Sequence, residues 1–204
     1  MENPGLPRAL WSELDGRLWH ATHRDGLRGI VERGRILANI DHGYVGSFCR
    51  HRGGVSLFDF GPASEDVPNQ FTNWSGWLGH QQGTRVAVWL EIDRVVVREN
   101  LLDAGEARAR WNDLVNQRVA DGGTHEPGIT FISGVEACHS GPIPMAALSG
   151  VLLVDQHDRQ RCLRLGHPND ASAREIDAFE ATLAPHEESP IVSRLLAGRR
   201  NPGD

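Results

Sequence analysis

Three short segments each set one polar side chain among apolar neighbours: His20 in Leu18–Thr22, Ser56 in Gly54–Phe60 and Glu136 in Gly134–Cys138. Polar groups on otherwise buried strands cost free energy unless they are paired or used. Together the three offer an imidazole, a hydroxyl and a carboxyl. A carboxylate fixed in a water-poor cleft stabilises positive charge that develops in a transition state. Each group also has a purely structural use. A neutral imidazole can pair with backbone, Ser56 can bond within its own sheet, and Glu136 can face solvent at a sheet edge. A different chemistry would use the histidines as metal ligands. His20 and His23 form a His-x-x-His pair, with His125 and His139 as further imidazoles, and zinc accepts imidazole readily. On a strand, however, positions i and i+3 point to opposite faces, so chelation needs the chain to turn there. No metal is expected.

Arginine supplies the rest of the candidate chemistry. All 21 basic residues are Arg, against 27 acidic residues, for a net charge of −6. Nonspecific nucleic-acid binding rests on phosphate neutralisation, and the acidic balance argues against it. A local groove is still compatible. Arg24, Arg28, Arg33, Arg35, Arg50 and Arg52 crowd one early stretch, and Arg makes the bidentate phosphate contacts. The same run also fits a solvated helix face and loop. Trp74 and Trp77 offer a base-stacking platform or an anchor for their loop.

These groups need elements to position them. Leu18–Thr22 is a strand candidate, and the chain before it, residues 1–16, is a loose lead-in with one helical turn around Leu10, Trp11 and Leu14. A helix opens at Asp25, with Leu27, Ile30 and Val31 on one stripe and Gly34 as its stop. Ile36 and Leu37 begin a short extended segment, and residues 39–53 read as a loop. In the strand Val55–Phe60, Val55, Leu57 and Asp59 share one face and Ser56, Phe58 and Phe60 the other. Residues 61–84 are long for a featureless connection. The continuous apolar run within Thr84–Ile92 predicts a strand buried on both faces. Val95–Val97 adds a further short strand. Glu106–Val119 is a helix, followed by extended pieces at Ile129–Ile132, Val135–Cys138 and Val151–Val154. A last helix spans Ala171–Leu183, and the end of the chain frays. A strand–helix opening followed by a mainly β core gives an α+β fold.

The opening, Leu-Trp-His-Ala-Thr-His-Arg-Asp-Gly-Leu-Arg-Gly-Ile-Val-Glu-Arg-Gly34, resembles the start of the ADP-ribosyltransferase superfamily, most of all its DarT-type branch. Gly-Val-Ser-Leu-Phe-Asp-Phe60 and Val135-Glu-Ala-Cys-His-Ser-Gly-Pro-Ile-Pro144 follow in the matching order. The resemblance implies a split β-sheet core with flanking helices and NAD as co-substrate. It implies that His20 bonds a ribose of NAD, while backbone around Ala21 and Thr22 grips the nicotinamide amide. Ser56 would support the nicotinamide-ribose side, and Phe58 or Phe60 would stack on the nicotinamide ring. Glu136 would hold the ribose 2′-hydroxyl and stabilise an oxocarbenium-like transition state. Arg50 or Arg52 would assist catalysis or hold the pyrophosphate. Position 134 is Gly, so the Glu-x-Glu pair of arginine-modifying relatives is absent, which weakens an arginine acceptor.

The implied reaction passes ADP-ribose to a macromolecule, a nucleic-acid base ahead of a protein. Water as acceptor would make the chain an NAD glycohydrolase, and loss of turnover would leave an NAD-binding module. A toxin role, with an antitoxin or ADP-ribosylhydrolase partner, is a further implication of the resemblance. The expected organisation is a lead-in at 1–16, a catalytic domain at 17–155 and a helical extension and tail at 156–204. No apolar run is long enough to span a bilayer and no signal pattern opens the chain, so no membrane partner and a cytoplasmic location are expected. Cys49, Cys138 and Cys162, odd in number and widely spaced, fit a reducing compartment with no disulfide framework.

Overall fold

A computed structural model of the chain describes residues 7–38, 47–61, 84–123, 130–159, 161–169 and 172–183. The helical turn expected around Leu10, Trp11 and Leu14 is helix α1 (Arg8–Leu14), which buries Leu10 and Leu14. Strand β1 (Leu18–Thr22) follows, then α2 (Arg24–Arg33), which turns Leu27 and Ile30 into the core. Gly34 closes α2 at φ 67°, and its N–H reaches back to the carbonyls of Ile30 and Val31. That left-handed conformation is open to Gly without the Cβ penalty.

After β2 (Arg35–Ile36), the stretch expected to be a loop contains a short helix, α3 (Phe48–His51). Ser47 caps it by accepting the Arg50 N–H. Strand β3 (Val55–Asp59) and strand β4 (Val86–Ile92) come next. Val95–Val97 is not a strand. Asp93 accepts the N–H groups of Val95 and Val96 and so starts helix α4 (Arg94–Val97). An N-cap carboxylate here overrides the β preference of three valines. Strand β5 (Leu101–Leu102) leads into α5 (Ala104–Ala120), started by a capping box between Asp103 and Glu106. Of the piece expected at Ile129–Ile132, Thr130 makes one isolated bridge to Ser47. Strands β6 (Glu136–His139), β7 (Ile143–Pro144), β8 (Leu148–Asp155) and β9 (Cys162–Leu165) and helix α6 (Ser172–Ala181) complete the order.

The fold is α+β. Seven strands pair antiparallel in the order β5-β6-β3-β1-β4-β8-β9, and β2 pairs with β7 in a separate ribbon. Alternation along β4 explains its continuous apolar run. Val86, Val88, Leu90 and Ile92 join a core with Leu27 and Ile30 of α2 and Ile176 and Phe179 of α6. Ala87 and Trp89 join a second core with Leu10 and Leu14 of α1, Trp19, Phe58 and Phe60. β9 and α6, which follow residue 155, add to this same sheet and the first core.

One seam in the sheet is short. β1 pairs with β4 over five residues and β3 pairs with β6 over four, but β1 meets β3 only at Leu18↔Asp59 and Trp19↔Phe58. Beyond Trp19 the two central strands part, and the sheet is split there.

The expectation of no disulfide is wrong. Cys49 of α3 and Cys138 of β6 are bonded, with Cα atoms 5.3 Å apart. They lie 89 residues apart in sequence, so no local spacing announces them. Among the described residues Cys162 is the free thiol. No helix among the described residues is long and apolar enough to cross a membrane.

Candidate active site

The split between β1 and β3 opens into a cavity of about 380 Å³. His20 and Thr22 form one lip, Gly54, Val55 and Ser56 the other, and Arg33, Arg35 and Arg50 border it. Gly26 and Gly29 of α2 also face it. A Cβ on Gly26 would collide with the Thr22 hydroxyl, so only Gly lets the first turn of α2 pack this closely on β1.

His20 spans the split. Its Nδ1 lies 3.0 Å from the Ser56 carbonyl oxygen. A carbonyl only accepts, so Nδ1 carries the proton and donates, which leaves Nε2 as an acceptor. Burial lowers the imidazole pKa to about 4, the Ser56 hydrogen bond opposes that, and Arg50 lowers it further. The ring is therefore neutral at physiological pH.

Glu136 stands one strand further. Phe58 faces Glu136 and Ser56 faces Cys138 across the β3–β6 ladder, so these four side chains share one sheet face. Glu136 is 1% exposed. The Ile132 N–H donates to its Oε2 at 2.7 Å and the Cys49 N–H to its Oε1 at 3.2 Å. Burial raises its pKa to about 7 against those two bonds and the Arg50 charge. A carboxyl held near neutrality by burial, beside a cation-rimmed cavity, is a functional-site candidate.

The three groups predicted to act together are thus not all in one wall. His20 and Ser56 line the cavity, whereas Glu136 is behind it. Strand alternation also puts the His20 side chain on the sheet face opposite Glu136. What connects them is α3. The Ser56 hydroxyl lies 3.1 Å from that of Ser47, which caps α3, and the same short helix carries Arg50 and the Cys49 amide.

The other predicted residues separate. Ala21 lies on β1 between His20 and Thr22, packed against the second core. Arg52 is exposed at the end of α3, with its guanidinium 5.7 Å from the Phe48 ring. Phe58 and Phe60 are buried and stack on each other, and the Phe58 ring centre lies 4.9 Å from that of Trp89. They belong to the core rather than the cavity wall. His23 precedes α2 as its N-cap residue, and His139 Nδ1 bonds the Gly141 carbonyl. No cluster of three His, Cys, Asp or Glu suited to a metal occurs among the described residues. His125, Trp74 and Trp77 lie outside them. Sequence reasoning placed Arg33 and Arg35 only in a general basic run. Their position on either side of the Gly34 turn was the signal that they border whatever α2 and β2 enclose. Ser47 had no signal except the N-cap preference for Ser before a short helix.

No family model matches the chain, and no curated protein sequence matches it. The solved structures similar to it include three at low identity. One is Thermus sp. 2.9 DarT in complex with ADP-ribosylated ssDNA, at 13% identity and TM-score 0.39, covering 90% of this chain and 95% of that one. A second is a buried-residue mutant of E. coli heat-labile enterotoxin, at 17% identity and TM-score 0.37, covering 87% and 96%. A third is a double mutant of heat-labile enterotoxin, at 16% identity and TM-score 0.36, covering 87% and 79%.

Proposed function

We propose that the chain is an NAD-dependent mono-ADP-ribosyltransferase. One observation carries the reading: a split between central strands with a neutral His20 on one lip, Ser56 on the other and three arginines at its rim, joined through α3 to the buried Glu136 carboxyl. The donor set suits a dinucleotide. Guanidinium groups of Arg33, Arg35 and Arg50 match a pyrophosphate, and His20 Nε2 can accept a ribose hydroxyl proton. The cavity volume also lies in the range of small-molecule sites.

In this mechanism Arg33, Arg35 and Arg50 bind and orient the phosphates, and His20 fixes a ribose. Loss of nicotinamide leaves positive charge on the sugar, and the ionised Glu136 stabilises it. Nicotinamide leaves neutral, so no strong acid is required of the protein. The acceptor we favour is a nucleic-acid base over a protein side chain, because three arginines, Arg33, Arg35 and Arg50, line this cavity. The cytoplasm is then the place of action, with a toxin role and a partner that blocks or reverses the modification as corollaries.

The test is incubation with NAD and single-stranded DNA, RNA or protein, with product mass spectrometry. An adduct heavier by one ADP-ribose, lost in Glu136→Gln, supports transfer. Free ADP-ribose in place of an adduct makes the chain a glycohydrolase. NAD binding with no nicotinamide released, by oxidised or reduced protein, makes it a binding module.

A further inference from the structure

The carboxyl that the proposed reaction requires is closed off, and the groups closing it are identifiable. The Cys49 N–H on Glu136 Oε1 belongs to α3, and the Cys49 side chain is bonded to Cys138, two residues along β6 from Glu136 itself. Both cysteines are fully buried. Gly54, which lines the cavity, rests on the bridge: a Cβ there would stand 2.6 Å from Cys138 Sγ and 2.9 Å from Cys49 Sγ. The disulfide therefore ties α3 to the Glu136 strand directly behind Gly54 in the cavity wall. The other attachments of α3 are noncovalent. Phe48 meets Phe131 and Trp111 edge-on, and Ser47 bonds Ser56. Gly53, at φ 71°, supplies the turn where α3 leaves for β3.

We infer that the Cys49–Cys138 disulfide gates the site: oxidised, it clamps α3 over Glu136, and reduction by a dithiol frees α3 to lift and uncover the carboxyl on the face it shares with Ser56, at the Ser56 lip of the cavity. The inference rests on the transferase reading and assigns its regulation. A reductant thiolate attacks one sulfur, releasing the other as a thiolate, and its second thiol resolves the mixed disulfide. The bridge gains two electrons and two protons as two thiols, and the dithiol leaves as a cyclic disulfide. Because both sulfurs are buried, attack awaits local opening and reduction is slow. The gate keeps the protein inactive in oxidising surroundings and releases it in a reducing cytosol.

The test uses the full chain with Cys162→Ser, so that no third thiol exchanges. Oxidised protein and protein held in dithiothreitol are distinguished by alkylation and intact mass. Nicotinamide release from NAD and amide exchange over residues 47–54 are measured on both, and on the Cys49→Ser/Cys138→Ser variant. Expected are at least about tenfold faster release from the reduced form, since turnover scales with the open fraction, and faster exchange over 47–54. The double variant should match the reduced protein with or without dithiothreitol. Equal release from the oxidised and reduced forms, or faster release from the oxidised one, overturns the gate and leaves the transferase reading standing. If neither form releases nicotinamide, that reading fails, and exchange decides the clamp alone: unchanged exchange over 47–54 refutes it, faster exchange upholds it.

Discussion

Replacing Glu136 by Gln should slow the proposed release of nicotinamide and stabilise the fold at pH 8. The carboxyl sits in a 1%-exposed position and titrates at about 7, against 4.5 for the group in an unfolded chain. The folded protein thus holds this proton more tightly than the unfolded one. Its favourable share of stability is complete below pH 4.5 and is lost as pH climbs through about 7. The interval is worth about 3 kcal/mol. Gln never ionises, so it escapes that loss. Its amide end can accept only one of the two N–H bonds from Ile132 and Cys49, a cost of about 1 kcal/mol. At pH 8 the variant should be more stable by about 2 kcal/mol, and at pH 4 less stable by about 1 kcal/mol. Urea unfolding of both proteins between pH 4 and pH 8, with equal m-values, reads this directly. Nicotinamide release by the reduced variant should fall by roughly 10²–10³. Parallel stability curves for the two proteins would refute the buried, protonation-linked carboxyl.

Further outcomes follow from the same geometry. Turnover of reduced wild type should rise with pH through about 7 as Glu136 ionises. Arg50→Ala, which removes the charge lowering the Glu136 pKa, should move that limb to higher pH in a rate profile. Arg94→Ala leaves the fully buried Asp59 without its bidentate ion pair and should cost about 3 kcal/mol in urea unfolding, at the low end because Arg94 is partly exposed. Gly54→Ala would press a methyl onto both disulfide sulfurs and the His139 carbonyl oxygen, which lies 2.8 Å from the added atom. It should lower stability by about 1–3 kcal/mol, measured by thermal unfolding.

Local chemistry made half of the fold legible. β4 declared itself by an unbroken apolar run, and α2 by the Leu27–Ile30 stripe ending at Gly34. The alternation of β3 correctly put Ser56 and Phe58 on one face. What escaped was set by distant contacts or by single capping atoms. Val95–Val97 looks like a strand until the Asp93 carboxylate captures two amides. α3 is too short to show a period, and its cap is one hydroxyl. The Cys49–Cys138 bond joins segments that meet only once β3 and β6 pair. For the site, residue types pointed to His20 and Ser56 as neighbours. The depth of Glu136 was not readable, because burial depends on what covers a strand, and α3 had not been seen.

The seam between β1 and β3 has a mechanical consequence. With two residue pairs across it, the sheet behaves as two plates, one of three strands and one of four, hinged along a narrow web of backbone. The β3–β6 ladder in one plate and the β1–β4 and β4–β8 ladders in the other lie away from the seam, so spreading the plates apart sacrifices few main-chain bonds. A guest that wedges the plates open therefore meets little resistance from the scaffold, and the breadth of what enters is governed by the side chains at the rim.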